Sequence, residues 1–124
     1  MIIQTKIVPE NSLLLLMDKH NGDIPESMDG DLIVAKPTCI AIGTLSEADG
    51  ETSVTMSDER LEITGVSEFR KVFNGVVATP RKQLDLCTIL LKPILTLTVQ
   101  NIQSNLEIWA NDEIEPNKLY ILVS

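Results

Sequence analysis

The sequence predicts a mostly β fold, a single-domain antiparallel β-sandwich or partly open barrel over residues 1–124. Three observations carry that reading. Short aliphatic runs recur at roughly 8–12-residue intervals, with turn residues between them. Apolar residues make up 44% of the chain but aromatics only 3%, so the core must be built from Leu, Ile and Val, which suit strands packed in layers. A single segment, residues 66–73, has helical spacing.

The elements follow in order. Residues 2–8 read as a first strand, stopped by Pro9, whose missing N–H cannot join a ladder. Residues 12–18 form a second, entered through the polar Glu10 and Asn11. Residues 19–31 contain Asn21 with Gly22, Pro25, and Asp29 with Gly30, and read as an acidic loop with two turn signals. Residues 32–35 and 38–45 follow as strands split at Pro37, which argues for an edge, a bulge or a short connection. Asp49 with Gly50 is the strongest hairpin signal, because the pair supplies the positive φ angles of a tight turn. It would join residues 40–45 to residues 52–56. In that second arm Thr52, Val54 and Met56 alternate with Ser53 and Thr55, as in a half-exposed antiparallel strand.

Residues 57–60 read as a turn and residues 61–64 as a short strand. Val66, Phe69, Val72 and Phe73 recur at spacings of three and four, which fits one short helix near residues 66–73. A strand with Val72 and Phe73 in the core fits the same residues. The last third is the most clearly β, with runs at 84–91, 95–99, 106–110 and 119–123. Turns fall at Lys92 with Pro93, at 100–105 and at 111–117.

At 124 residues the chain is long enough to remove roughly two-thirds of its unfolded surface from water. The longest early apolar run, residues 13–17, is too short for a secretory core or a membrane span, so a cytoplasmic protein without membrane contact is expected. Cys39 and Cys87 lie in apolar runs and read as reduced core thiols. Two cysteines and one histidine do not make a zinc site without carboxylate help, and no phosphate-cradling glycine loop exists. No cofactor is expected.

Charge is the more informative property. The net −8 belongs to the first half: residues 1–62 carry twelve acids against four bases, whereas residues 63–124 carry six of each. The excess falls on turn-like segments. Such a field attracts a cationic partner and repels nucleic acid and anionic membranes. The candidate partner-binding residues are Asp23, Glu26, Asp29 and Asp31 in the first acidic loop, Glu47, Asp49 and Glu51 around the expected hairpin, and Asp58 and Glu59 beyond it. Trp109, in the outward register of its strand, is a candidate anchor. Arg70, Lys71, Arg81, Lys82 and Lys92 are the only basic concentration. They lack the interleaved aromatics and glycines of a nucleic-acid binder, so they read as a balance to the acidic half or as part of an interface.

No catalytic residue is assigned. His20 is the only histidine, and no serine sits in a G-x-S-x-G turn, so an acyl-transfer triad is not expected. Asn21 and Asp23 begin a calcium-loop spacing that Pro25 breaks. Sugar binding would depend on Trp109 and Tyr120 as platforms.

The run Gly43-Thr-Leu-Ser-Glu-Ala-Asp-Gly-Glu-Thr-Ser-Val-Thr-Met56, followed by Asp112-Glu-Ile-Glu-Pro-Asn-Lys-Leu-Tyr-Ile-Leu-Val123, resembles small bacterial inhibitor proteins. These are the β-sandwich inhibitors of competence nucleases and the immunity proteins of contact-dependent or secreted toxins. The resemblance is one of layout: a strand, an acidic loop, a DG hairpin and a final P-x-x-x-Y-x-L strand, covering about half the chain. It implies a non-catalytic protein that neutralises a basic partner such as a toxin nuclease, and it transfers no functional residue. Two other readings stay open. One is a structural β-domain that dimerises through an exposed strand carrying Tyr120 and Leu122. The other is a carbohydrate- or calcium-dependent binding module.

Overall fold

The structure, a computed structural model, describes residues 1–18, 22–59 and 68–124. Its strands are β1 (Ile2–Ile7), β2 (Leu13–Met17), β3 (Ile33–Lys36), β4 (Cys39–Gly43), β5 (Thr52–Ser57), β6 (Arg70–Ala78), β7 (Gln83–Cys87), β8 (Pro93–Thr98), β9 (Gln103–Ala110) and β10 (Lys118–Val123). One 3-10 turn, Glu10–Ser12, precedes β2. The strands form a sandwich of two five-stranded sheets, ordered β1-β5-β10-β9-β6 and β3-β4-β2-β7-β8. Pairing is antiparallel throughout except between β5 and β10, which run parallel.

The middle of the second sheet, β2 and β4, is apolar on both faces, and that explains its sequence. Leu14 and Leu16 of β2 point inward with Ile40, Ile42, Leu84 and Leu86, meeting Val54, Met56, Leu106, Ile108 and Ile121 of the first sheet in the main core. Leu15 and Met17 point the other way and join Cys39, Ala41 and Cys87 in a second cluster, against which Met28 packs. The loop between β2 and β3 closes that cluster. Gly22 lies so near it that an added Cβ would sit 2.9 Å from Met17 Cβ and 3.0 Å from Cys39 Cβ. A strand covered on both faces has no polar side to show, so β2 reads as an unbroken Leu-Leu-Leu-Leu-Met run. β9 of the first sheet alternates instead, with Leu106, Ile108 and Ala110 buried and Asn105 exposed.

Four expectations need correction. The Asp49 and Gly50 pair is a turn but not a hairpin, because β4 and β5 belong to different sheets. Gly50 does take a positive φ of 133°, yet the loop it serves carries the chain across the sandwich. A turn signal reports local dihedral preference and says nothing about which edge the next strand finds. Here β4 fits between β3 and β2, and β5 between β1 and β10. The hydroxyl face of β5 is less open than a half-exposed strand's: Ser53 is half-buried and Thr55 buried.

The helical reading of residues 66–73 gives way to its strand alternative, with Val72 and Phe73 in the core: β6 runs from Arg70 onward. Residues 66 and 67, like the strand expected over 61–64, lie outside the described residues. The ladder between β6 and β9 shifts register between Lys71 and Phe73. This bulge breaks the two-residue alternation, so Val72 and Phe73 both pack against the core and imitate helical spacing. Phe73 then folds over Gly75, where a Cβ would meet its Cζ at 2.6 Å. Finally, β10 is an interior strand between β5 and β9, so Tyr120 and Leu122 offer no edge for a dimer. Leu122 is buried, and the Tyr120 ring meets Phe69 edge-on at 5.1 Å.

Two outcomes follow from this packing. Leu16 is wholly buried, and Leu16→Ala should cost about 2–5 kcal/mol of unfolding free energy, read as a lower urea midpoint with unchanged slope. Burial, with the Asp23 and Asp85 carboxylates adding to it, pushes the Cys39 thiol up to about 11 and the Cys87 thiol up to about 12. Both should resist a thiol reagent at pH 8 in the native protein and react fully once it is unfolded.

Candidate functional site

Strand register divides the sandwich into two ends with different charge. At one end β1 finishes and β5, β6 and β10 begin; β2 begins and β4 finishes at the same end. Backbone hydrogen bonds gather its loops. Thr44 N–H donates to the Ser12 carbonyl (2.9 Å), Leu45 N–H to that of Pro116 (2.8 Å) and Ser53 N–H to that of Asn117 (2.8 Å). The three loops so joined, 8–12, 44–51 and 111–117, carry Glu10, Glu47, Asp49, Glu51, Asp112, Glu113 and Glu115, all exposed, and no lysine or arginine. Bordering bases are partly engaged: Arg70 Nη1 lies 3.5 Å from Glu113 and Lys118 Nζ 3.4 Å from Glu68, while Lys6 and Lys92 stand on adjoining segments.

The 111–117 loop is the most highly bonded of the three. Asp112 Oδ2 accepts the N–H groups of Ile114 (3.0 Å) and Glu115 (2.7 Å). Asn111 Oδ1 accepts those of Asn117 (3.1 Å) and Lys118 (3.1 Å), and Asn111 Nδ2 donates to Asn117 Oδ1 (2.6 Å). The two backbone donors hold the Asp112 carboxyl below the usual aspartate range. A cleft of about 340 Å³ opens beside the loop, lined by Arg70, Ala110, Asn111, Asp112, Glu113 and Ile114.

The acids singled out from sequence do not all converge here. Glu47, Asp49 and Glu51 do, and Asp31 stands at the margin, next to Leu32, whose carbonyl accepts Gly43 N–H at 2.7 Å. Glu26 and Asp29 belong to the loop laid on the second sheet, where Asp29 Oδ1 accepts the Ser27 hydroxyl at 2.9 Å. Asp23 is near the other end, its carboxylate 3.2 Å from Lys36 Nζ and its N–H bonded to Thr38 Oγ1 at 2.8 Å. Asp58 and Glu59 are also at the other end and pair with the N-terminal ammonium.

Trp109 is half-buried on the outer face of the first sheet. Its Nε1 donates to Glu107 Oε1 (3.3 Å), and Lys71 Nζ lies 5.6 Å from the ring centroid. The basic concentration is dispersed: Lys71 is 3.5 Å from Glu107 on that face, whereas Arg81 and Lys82 lie at the far end, where Arg81 N–H donates to Asp18 Oδ2 at 2.7 Å. Sequence reasoning did not place Glu10, Asp112, Glu113 and Glu115 in the site. The signal was present, since residues 112–115 hold three acids in four positions. The neutral balance of its half of the chain left that acidic turn outside the candidate residues.

Among the described residues, no three His, Cys, Asp or Glu side chains are grouped to hold a metal ion, and no helix is long and apolar enough to cross a membrane. His20 lies outside the described residues.

Fold and site together define a β-sandwich, ten-stranded among the described residues, with an acidic loop end. No protein-family model matches the chain, and no curated protein matches it. Solved structures do share its fold. ComJ from Bacillus subtilis, described as an inhibitor of the DNA-degrading activity of NucA, superimposes with a TM-score of 0.66 at 11% identity, over 99% of this chain and 97% of that one. The crocagin biosynthetic gene J product superimposes with a TM-score of 0.52 at 10% identity, over 98% and 96%.

The Asp112 bonds give the acidic loop a pH signature. Because the folded carboxyl titrates below its ordinary value of 3.8, its two hydrogen bonds are fully formed above that value and are lost as pH falls through the depressed one. The amide resonances of Ile114 and Glu115 should therefore move together in an acid titration, with a midpoint below 3.8. In Asp112→Ala that transition should vanish while the core resonances hold their positions.

Proposed function

We propose that this chain is a non-catalytic, protein-binding inhibitor that neutralises a basic partner, a nuclease being the leading case. The observation that carries the reading is the acidic end itself, in which loops far apart in sequence, none holding a lysine or arginine, bring seven carboxylates to one end, with Arg70 on the adjoining strand 3.5 Å from Glu113. The fold, shared along its length with an inhibitor of a nuclease, supports it. In this reading the chain is a single domain acting without cofactor in a bacterial cytoplasm, much as an immunity protein would.

The physical logic is charge mimicry. A nuclease that accepts DNA has a cationic face shaped for phosphate, and a rigid row of carboxylates can occupy or flank that face. Complementary charge speeds encounter and discriminates against other partners. Glu47, Asp49 and Glu51 keep the role expected of them, and Glu10, Asp112, Glu113 and Glu115 join them.

Affinity capture from the source cells, followed by purification of the captured protein, tests the reading. The captured protein should be basic, and its degradation of DNA should stop when this chain is added in equal amount. The triple variant Glu47→Gln, Glu51→Gln, Glu115→Gln should associate about tenfold more slowly at low salt, with the difference shrinking at physiological salt. A captured partner that is acidic, or whose DNA degradation continues unchanged, refutes it.

A further inference from the structure

The acidic end also exposes large apolar side chains, which charge alone does not explain. Ile114 is 81% exposed, the highest among the exposed large hydrophobics of the described residues. It stands at the tip of the 111–117 loop between Glu113 and Glu115, above the cleft that Arg70 and Asn111 help to line. Leu90, 71% exposed in the turn between β7 and β8, and Val8, 44% exposed after β1, open at the same end. Isolated exposed residues such as Val8 and Leu90 are ordinary, but Ile114 is an apolar tip flanked directly by Glu113 and Glu115, the composition of an interface anchor with polar groups beside it.

Charge decides what can cover them. A second copy docked end to end would set seven carboxylates against seven, and an anionic bilayer or a nucleic acid would be repelled in the same way. A protein surface that is cationic at its rim satisfies both the apolar tip and the carboxylates.

We infer that Ile114 is the anchor of a protein-docking surface at the acidic end, entering an apolar dent in a partner whose rim is basic. This rests on the proposed function and adds a division of labour to it. The carboxylates set the rate of encounter and its dependence on salt; the buried Ile114 side chain sets how long the complex lasts.

A library of random twelve-residue peptides displayed on phage, panned against the intact protein, provides a defined probe. The enriched peptides should carry Lys or Arg around an apolar centre, and their synthetic versions should bind more weakly as salt rises. Ile114→Ser should weaken them at least about tenfold, mainly through faster dissociation, with the unfolding temperature unchanged because the side chain is in solvent. Val76→Ser, which removes an apolar side chain exposed on β6, should leave binding as it was. Basic, salt-sensitive peptides that ignore Ile114→Ser would remove the anchor and leave the charge-based function standing. Neutral peptides that depend on Ile114 would remove the basic occupant and the proposed function with it. Absence of enrichment over an unrelated β-sandwich protein would overturn the docking surface altogether.

Discussion

The rest of the molecule depends on the two-sided burial of the second sheet. β2 sits at its centre with apolar side chains on both faces, and each face needs its own cover. The first sheet supplies one, through Val54, Met56, Leu106 and Ile108. The loop after β2 supplies the other, with Gly22 close over Met17 and Cys39 and Met28 packed beside them. Each fully buried aliphatic side chain contributes on the order of 1.5–3 kcal/mol relative to exposure, so neither cover can be dispensed with. That loop is therefore a structural element first. Its acids Glu26 and Asp29 are carried on its solvent side and are spread along the sheet instead of gathered at an end.

The same requirement organises the acidic end. Once β4 is bound between β3 and β2, the chain must leave that sheet to place β5, and residues 44–51 cross the sandwich to do so. The crossing is held by Leu45 N–H on Pro116 and by Ser53 N–H on Asn117, which bring the loop between β9 and β10 alongside. Two acidic segments about sixty residues apart become neighbours through two backbone hydrogen bonds. The opposite end differs in kind: Asp58 and Glu59 meet the N-terminal ammonium, Asp23 meets Lys36, and Arg81 and Lys82 lie nearby. Among the described residues the sandwich is electrically polar along its strands, and only one end carries an excess of negative charge over its bases.

Much of the fold was legible because its causes are local. Aliphatic runs and turn residues mark nine of the ten strands among the described residues, all but β6, well enough to indicate a sandwich, and Cys39 and Cys87 are the buried free thiols their neighbours imply. The misreadings have local causes too. The bulge in β6 sends Val72 and Phe73 to the same side and counterfeits a helix. Asp49 and Gly50 make a turn whose strands separate into different sheets. Tyr120 alternates as an edge residue would, yet its strand is enclosed on both sides.

The sequence by itself determined the fold class, the aliphatic core, the reduced buried thiols and an excess of carboxylates on loops, since each is a matter of composition and short-range pattern. Only the tertiary structure decided which carboxylates lie together. It separated Asp23, Asp58 and Glu59 from Glu47, Asp49 and Glu51, and it brought Glu10, Asp112, Glu113 and Glu115 to the latter group. The reason is physical: a strand's neighbours are chosen by the burial of its faces and the pairing of its edges, and both are settled between segments far apart in the chain.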